Sequence, residues 1–319
     1  MNSRDHRPEV PKPAHAYQRK QPLPWHKPKP SREDPECPGK LQAILDSSSY
    51  VPAIEDIGFL AGYSTRGVRL QLDYLKPDNL LRAHNVQNTI VVFGGTRIVE
   101  PPVAQQNVVQ LRESLTLDPA DSALQRRLSV AERILAKSHY YEIAREFSRL
   151  VASAGDGAGD SRLVVMTGGG PGMMEAANRG AHEQGAKTVG LNIKLPHEQY
   201  PNPYITPELC FQFHYFALRK MHFLLRARAL VVFPGGFGTF DELFETLTLI
   251  QTRKIRPLPV VLVGETYWRK AFDVDFLVDE GVIDEEDRDL FWYAETAQEI
   301  WQGLQLWYER FGEPLIPGN

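Results

Sequence analysis

Three acids lie close together in the stretch Val231–Thr246, VVFPGGFGTFDELFET: Asp241, Glu242 and Glu245. They follow a Pro-Gly-Gly turn and one further small residue, Gly238. Such a turn lets backbone N–H groups close on an anion, and a helix start adds an effective charge of roughly +0.5. The chemistry predicted is phosphate binding. The acids need a second explanation, because carboxylates beside a bound anion are costly unless they act on it. On a helix opening near Thr239, Glu245 is a surface neighbour of both Asp241 and Glu242. Acids in a first turn also complement the helix dipole, by ~0.3–1 kcal/mol, and that plainer reading stands beside the catalytic one.

Upstream, in FHYFALRKMHFLLRARALVVFPGG, Arg219 and Lys220 open the helix that leads into the same strand. Cations at a helix start are unfavourable by dipole alone, so an anionic partner is expected, either a phosphate or Glu242. The alternative is a surface ion pair worth ~0–1 kcal/mol.

The elements that must position these groups are legible from Asn88 onward. NTIVVFGGT, RLVVMTGGGPG, KTVGLNI, ALVVFPGGFGT and PVVLVG are short, mostly β-branched apolar runs of the kind buried on both faces, most ending in Gly or a polar turn. Helical stretches lie between them: Leu124 to Ser153, Met173 to Gln184, Ala217 to Ala227 and Phe240 to Gln251. Alternation of this kind predicts an α/β fold, a doubly wound parallel sheet of Rossmann-like type. Ligands of such sheets bind at the carboxyl ends of the strands, where the turns at Gly94, Gly168 and Gly235 are expected to converge.

Several nucleotide and catalytic patterns are excluded. The dinucleotide fingerprint needs Gly at its first, third and sixth positions, and GGGPGMME has Met173 or Glu175 at the sixth. Gly180, Gly185, Lys187 and Thr188 fail the phosphate-loop spacing at Ala186, so Gly185 reads as a helix C-cap. No Ser-centred elbow occupies a strand-to-helix turn, and His182, His197, His214 and His222 lack paired metal-ligand spacing. The expectation is a site with neither metal nor cofactor.

The chain has 319 residues, 42% hydrophobic and 24% charged, with a formal net charge of -4. That balance gives no reason to expect nucleic acid or an anionic membrane as partner. Cys37 and Cys210 are the only cysteines, too few for a disulfide framework, which fits a reducing cytoplasm. No apolar run nears the ~20 residues of a membrane span, and the N-terminus lacks a secretory signal's apolar core. Residues 1–40, rich in Pro with Lys, Arg and His, read as a disordered, basic tail without assigned function. Residues 41–87 read as a helical extension in which Pro77 starts a new helix after Lys76, and residues 88–319 as the nucleotide-binding domain.

TGGGPGMMEAANRGA, ALRKM and PGGFGTFDE resemble the motifs of the Lonely Guy (LOG) family, whose members are similar to cytokinin riboside 5′-monophosphate phosphoribohydrolases and were long labelled lysine decarboxylases. RGVRLQLDYLKPDN and LPHEQYPNPYIT resemble its longer subgroup, and the likeness runs from about Arg66 to Tyr308. The fixed positions of the family's PGGxGTxxE pattern are met from Pro234 to Glu242, and its paired Arg falls at Arg219. Two departures stand out. Glu175 occupies the place of a small residue, and Pro101 and Pro102 follow VFGGTR, read here as an extended insertion before the next helix.

The resemblance implies hydrolysis of a nucleoside 5′-monophosphate at its N-glycosidic bond. Such a reaction passes through an oxocarbenium-like state that needs negative charge near the ribose and a positioned water. Glu242 would supply that charge, ionised unless burial raises its pKa, and Arg219 would orient it or contact the substrate. Gly235, Gly236, Gly238 and Thr239 would hold the 5′-phosphate. Asp241 and Glu245 would either bind ribose hydroxyls or finish the cap. The wider substrate-binding set comprises Gly94, Thr96, Gly168, Gly169, Gly170, Gly172 and Lys220. The family also implies a homodimer or higher homo-oligomer. The competing reading keeps the glycine loops but makes the chain a nucleotide sensor or carrier that leaves Glu242 unused.

Overall fold

The structure, a computed structural model, describes residues 10–155, 159–196, 200–316 and 318. The first nine residues of the expected tail and His197 lie outside them. The chain divides into two compact units, Met1–Arg66 and Gly67–Asn319. The division thus falls inside the span read as a helical extension.

In the first unit, residues 10–36 are largely exposed, with one 3-10 turn at Pro24–His26. Helices α1 (Cys37–Leu45) and α2 (Ile57–Ala61) follow. Asp56 caps α2, accepting from Phe59 N at 2.8 Å.

The second unit is carried by α3 (Arg66–Ala83), β1 (Asn88–Phe93), α4 (Pro101–Leu117), α5 (Ser122–Leu135), α6 (His139–Ser153), β2 (Leu163–Thr167) and α7 (Met173–Glu183). It continues with β3 (Thr188–Ile193), β4 (Cys210–Phe213), α8 (Phe216–Leu225), β5 (Ala227–Val232) and α9 (Phe237–Gln251). The last elements are β6 (Val260–Val263), α10 (Glu265–Ala271), α11 (Val274–Asp279), β7 (Trp292–Ala294) and α12 (Ala297–Phe311). The strands form one sheet in the order β4-β3-β2-β1-β5-β6-β7, with every pairing parallel. The expected doubly wound α/β fold is present.

Burial explains the strands. Ile90, Val91, Val92, Leu230, Val231 and Val232 are 0% exposed, as β-branched runs in a sheet covered on both faces must be. One apolar layer joins Ile90, Val92 and Val231 to Phe147 of α6, Ala177 of α7 and Ile300 of α12. The opposite layer joins Val91 and Val232 to Leu81 of α3, Phe223 of α8, Leu243 of α9 and Trp268 of α10. The chain leaves β1 for β2, β3 and β4 on one side, then returns to β5 on the other. The resulting switch point opens a crevice at the carboxyl ends of β1 and β5.

Three local expectations are corrected. Pro77 lies inside α3 rather than starting a helix. A mid-helix proline costs ~3 kcal/mol, but the turn beyond it is anchored by buried Leu81 and by Asp78, which accepts from Arg226 at 2.6 Å and pairs with Arg82 at 3.0 Å. The stretch from Leu124 to Ser153 is two helices: α6 buries Tyr141, Ala144, Phe147 and Val151, whereas α5 buries none of its residues, and the chain turns between them. The segment after VFGGTR is no extended insertion, because Pro101 and Pro102 form the first turn of α4, where a missing N–H and a fixed φ are favourable. The edge strands β4 and β7, only 4 and 3 residues long, give too short a pattern to be read.

Gly185, at φ +69°, ends α7 as the C-cap expected. Its N–H reaches the His182 carbonyl at 2.9 Å and that of Ala186 reaches Ala181 at 3.2 Å, the paired closure of a left-handed cap.

Candidate active site

The turns that end β1, β2 and β5 meet at the switch point. Gly95 N donates to the Pro234 carbonyl at 2.8 Å, and Met173 N to the Gly95 carbonyl at 3.3 Å, so the three loops are tied to each other. Gly172 makes this approach possible. It has φ +72°, and a Cβ there would lie 2.6 Å from Gly95 O and 2.7 Å from Thr96 C, leaving no room for any other residue.

The loops enclose a cavity of about 230 Å³ lined by Phe93, Gly94, Gly95, Thr96, Met174, Arg219, Gly236, Gly238, Thr239 and Glu242. Seven of the expected site residues therefore share one space: Gly94, Thr96, Arg219, Gly236, Gly238, Thr239 and Glu242. Gly168 sits behind Arg219, where a Cβ would come within 2.5 Å of the guanidinium. Gly235 is one step back from the wall, its carbonyl accepting from the Tyr267 hydroxyl at 2.5 Å.

Other expected residues lie off the cavity wall. The carbonyls of Gly169 and Gly170 accept from Asn202, at 2.9 Å from its N–H and 3.0 Å from its amide. That amide belongs to a buried network: Asn202 Nδ2 also reaches Asn178 Oδ1 at 2.9 Å, and Thr167 donates to the same oxygen at 2.7 Å. Gly172 packs on the first loop instead of facing the cavity. Lys220 Nζ lies 2.9 Å from both Asp241 and Glu245, an ion cluster whose Asp241 side chain is 54% exposed. Glu175 turns toward α6 and accepts from Tyr141 at 2.9 Å.

The register of α9 changes the meaning of Glu242. The helix opens at Phe237, not near Thr239, and has no acid in its first turn. Glu242 is in the second turn, where the dipole effect has faded. It is also 6% exposed, a position a solvated dipole partner would not occupy. Arg219, on α8, faces it with Nη1 3.7 Å from Oε1. The guanidinium is fixed by donating from Nε to the Leu191 carbonyl at 2.6 Å and by lying 5.0 Å from the centre of the Phe223 ring.

Burial pushes the Glu242 carboxyl up to about 7; Arg219 and Lys220 pull it down, while Glu245 and Asp241 add to the rise. Burial also lowers Arg219, against the opposing pull of Glu242 and Asp241. The folded carboxyl keeps its proton up to about 7, while the unfolded one releases it near 4.5. The native state is therefore favoured at low pH, and that advantage is lost as pH rises through this window. Gln mimics the protonated form, so Glu242→Gln is expected to match the parent near pH 4.5 and to exceed it above pH 7 by on the order of 3 kcal/mol. Thermal melts across that range check this; a gap that is constant with pH would contradict it.

Sequence reasoning missed Gly95, Phe93, Met174, Tyr267 and Asn202. Gly95 had a local signal as half of a Gly pair and Asn202 lies within LPHEQYPNPYIT, while Tyr267 arrives from a distant segment with no signal. Among the described residues no group of three or more His, Cys, Asp or Glu could hold a metal ion, and no helix is long and apolar enough to cross a membrane.

Together the fold and site define a doubly wound α/β protein with a glycine turn at a helix start and a buried Arg–carboxylate pair beside it. Residues 174–304 match the family model described as possible lysine decarboxylase. The chain is similar to the rice cytokinin riboside 5′-monophosphate phosphoribohydrolase LOG (Oryza sativa subsp. japonica), 29% identical over 157 residues, 48% of this chain and 63% of that one. It is likewise similar to the enzyme LOG3 of Arabidopsis thaliana, 29% identical over 146 residues, 44% of this chain and 66% of that one. The matched stretch spans slightly less than two thirds of each of these relatives. The X-ray structure of TM1055, a structural genomics target, is 24% identical with a TM-score of 0.41, covering 69% of this chain and 99% of that one. The resemblance to the LOG family read from the motifs is borne out by the family model and by these relatives.

Proposed function

We propose that the chain hydrolyses the N-glycosidic bond of nucleoside 5′-monophosphates, AMP or an N6-substituted AMP such as a cytokinin riboside 5′-monophosphate, to free base and ribose 5-phosphate. The observation that carries this reading is the buried Glu242, 3.7 Å from Arg219 in a cavity walled by the glycine turn. The 5′-phosphate sits at the start of α9, which no side chain caps, so its opening N–H groups are available to an anion. The ribose then lies toward Glu242. As the bond from C1′ to the base nitrogen breaks, the carboxylate stabilises the cation forming at C1′ and takes a proton from water. The hydroxide adds to C1′, and the proton taken from water passes from Glu242 to the departing base nitrogen, which restores the carboxylate. Arg219 orients the carboxylate and offsets its charge between turnovers.

The label of lysine decarboxylase fits less well. Burial opposes the charge on Lys220, but hydrogen bonds to Asp241 and Glu245 outweigh it and raise its pKa. It is thus held as an ammonium rather than as the free amine a Schiff base requires.

Incubation with a panel of nucleoside monophosphates, with assay of free base and ribose 5-phosphate, tests the proposal. Turnover of AMP or its N6-substituted forms is expected; binding without turnover across the panel overturns it in favour of a nucleotide sensor. Because the working form of Glu242 is ionised, kcat/KM is expected to rise about tenfold per pH unit below the pKa of the free enzyme and to level off above it, with the bend near 7. A flat profile from pH 5 to pH 8 would exclude Glu242 as the base.

A further inference from the structure

A second cavity, of about 740 Å³, opens between the turn joining α5 to α6, the first turns of α9, and α10. It shares no lining residue with the candidate active site. Its charge is of one sign: Arg133, Lys137 and Lys270 line it with His139 beside them, and no Asp or Glu does. Among the described residues none of these groups is paired with a carboxylate. Lys137 Nζ donates to the Arg133 carbonyl at 3.0 Å, and His139 Nδ1 lies 3.0 Å from the Ala136 carbonyl. Of the neighbouring acids, Glu265 is paired with Arg269 at 2.6 Å, while Glu295 accepts from the Glu265 N–H at 2.8 Å and sets one negative charge near Tyr140.

Three cations set against one nearby carboxylate leave an excess of positive charge, which focuses a positive potential into the cavity. An incoming anion offsets that excess, and more than one negative charge is needed to match it. Three aromatic rings, Tyr140, Phe240 and Tyr267, share the rest of the wall with Ala136, Thr266 and Ala271. These rings are held in place. Phe240 meets Trp268 edge-on at 5.4 Å, Tyr140 meets Phe233 at 6.5 Å, and the Tyr267 hydroxyl is anchored on Gly235. Fixed aromatic faces favour a flat ring as partner.

We propose that this cavity binds an organic polyanion that carries an aromatic ring, with the ring against Tyr140, Phe240 and Tyr267 and the acidic groups against Arg133, Lys137 and Lys270. A ligand seated there touches the residue that holds the Gly235 carbonyl and lies on α9 near the turn carrying Glu242. The site is independent of the catalytic proposal, and its test needs no turnover.

The test is titration of the full chain with pyrenetetrasulfonate, an aromatic polyanion followed by its fluorescence, with tripolyphosphate as a polyanion lacking a ring. One saturable site is expected. Lys137→Glu/Lys270→Glu should weaken it by about tenfold or more, while the same reversal at Arg126 and Arg127, on α5 but lining a different groove, should change it by less than about twofold. Tripolyphosphate should bind about tenfold more weakly than the ring compound. The milder pair Lys137→Gln/Lys270→Gln, checked by thermal melt, should weaken binding in the same direction and separates loss of the site from loss of the fold. Equal weakening by the two reversed pairs, or none by the first, overturns the site. Equal affinity for the two probes overturns the role of the rings.

Discussion

Glu242→Gln is expected to lower kcat by about 100-fold or more, equivalent to roughly 2.7 kcal/mol of transition-state stabilisation, while nucleotide binding and the fold persist. The amide is nearly isosteric and still accepts a hydrogen bond. It can neither balance a ribosyl cation nor take a proton from water. Were Glu242 only a partner of the helix dipole, the change would cost no more than ~1 kcal/mol of stability and leave turnover intact. The structure already weighs against that alternative, since Glu242 is in the second turn of α9 and 6% exposed. Arg219→Ala is expected to show a comparable deficit, because without it the buried carboxylate loses its facing cation. Single-turnover kinetics with AMP, alongside binding measured on both variants, separate a catalytic loss from a binding loss. Near-normal turnover in both would return the site to the sensor reading.

A 5′-monophosphate is expected to be processed at least about 100-fold better in kcat/KM than the free nucleoside, a difference of roughly 2.7 kcal/mol. The physical basis is the start of α9. Helices α5 and α12 satisfy their first N–H groups with Asp121 and Thr296, but α9 follows Gly236 with no side-chain cap. The macrodipole and the uncapped N–H groups contribute only when an anion is present. Adenosine forfeits that contribution and also the anchor that sets its ribose against Glu242. Comparable efficiency on adenosine and AMP would place the phosphate contact elsewhere.

Local pattern carries only some of this. Runs such as IVVF and ALVV are apolar at consecutive positions, as in strands covered on both faces, and each leads into a glycine turn. The parallel sheet and the meeting of the loops at Gly94, Gly168 and Gly235 were therefore legible, as was the cation expected opposite Glu242. The short edge strands β4 and β7 were not, because a period of two cannot be recognised over so few residues. Nor was the continuity of α3 through Pro77, where tertiary anchoring at Asp78 and Leu81 overrides a local breaker.

Within the site, the sequence by itself determined which groups were available: a glycine turn, three acids, and an Arg–Lys pair at the head of a helix. Only the tertiary structure decided how they divide. Lys220 takes Asp241 and Glu245 into an ion cluster outside the cavity, and Arg219 is left facing Glu242. The groups that impose this division come from other segments, the Leu191 carbonyl that holds Arg219 and the Tyr267 hydroxyl that holds Gly235. Burial is a property of everything packed around a carboxylate, so the rise of Glu242 to about 7 could not be read from its neighbours in sequence; desolvation acts through space, and periodicity records only the chain.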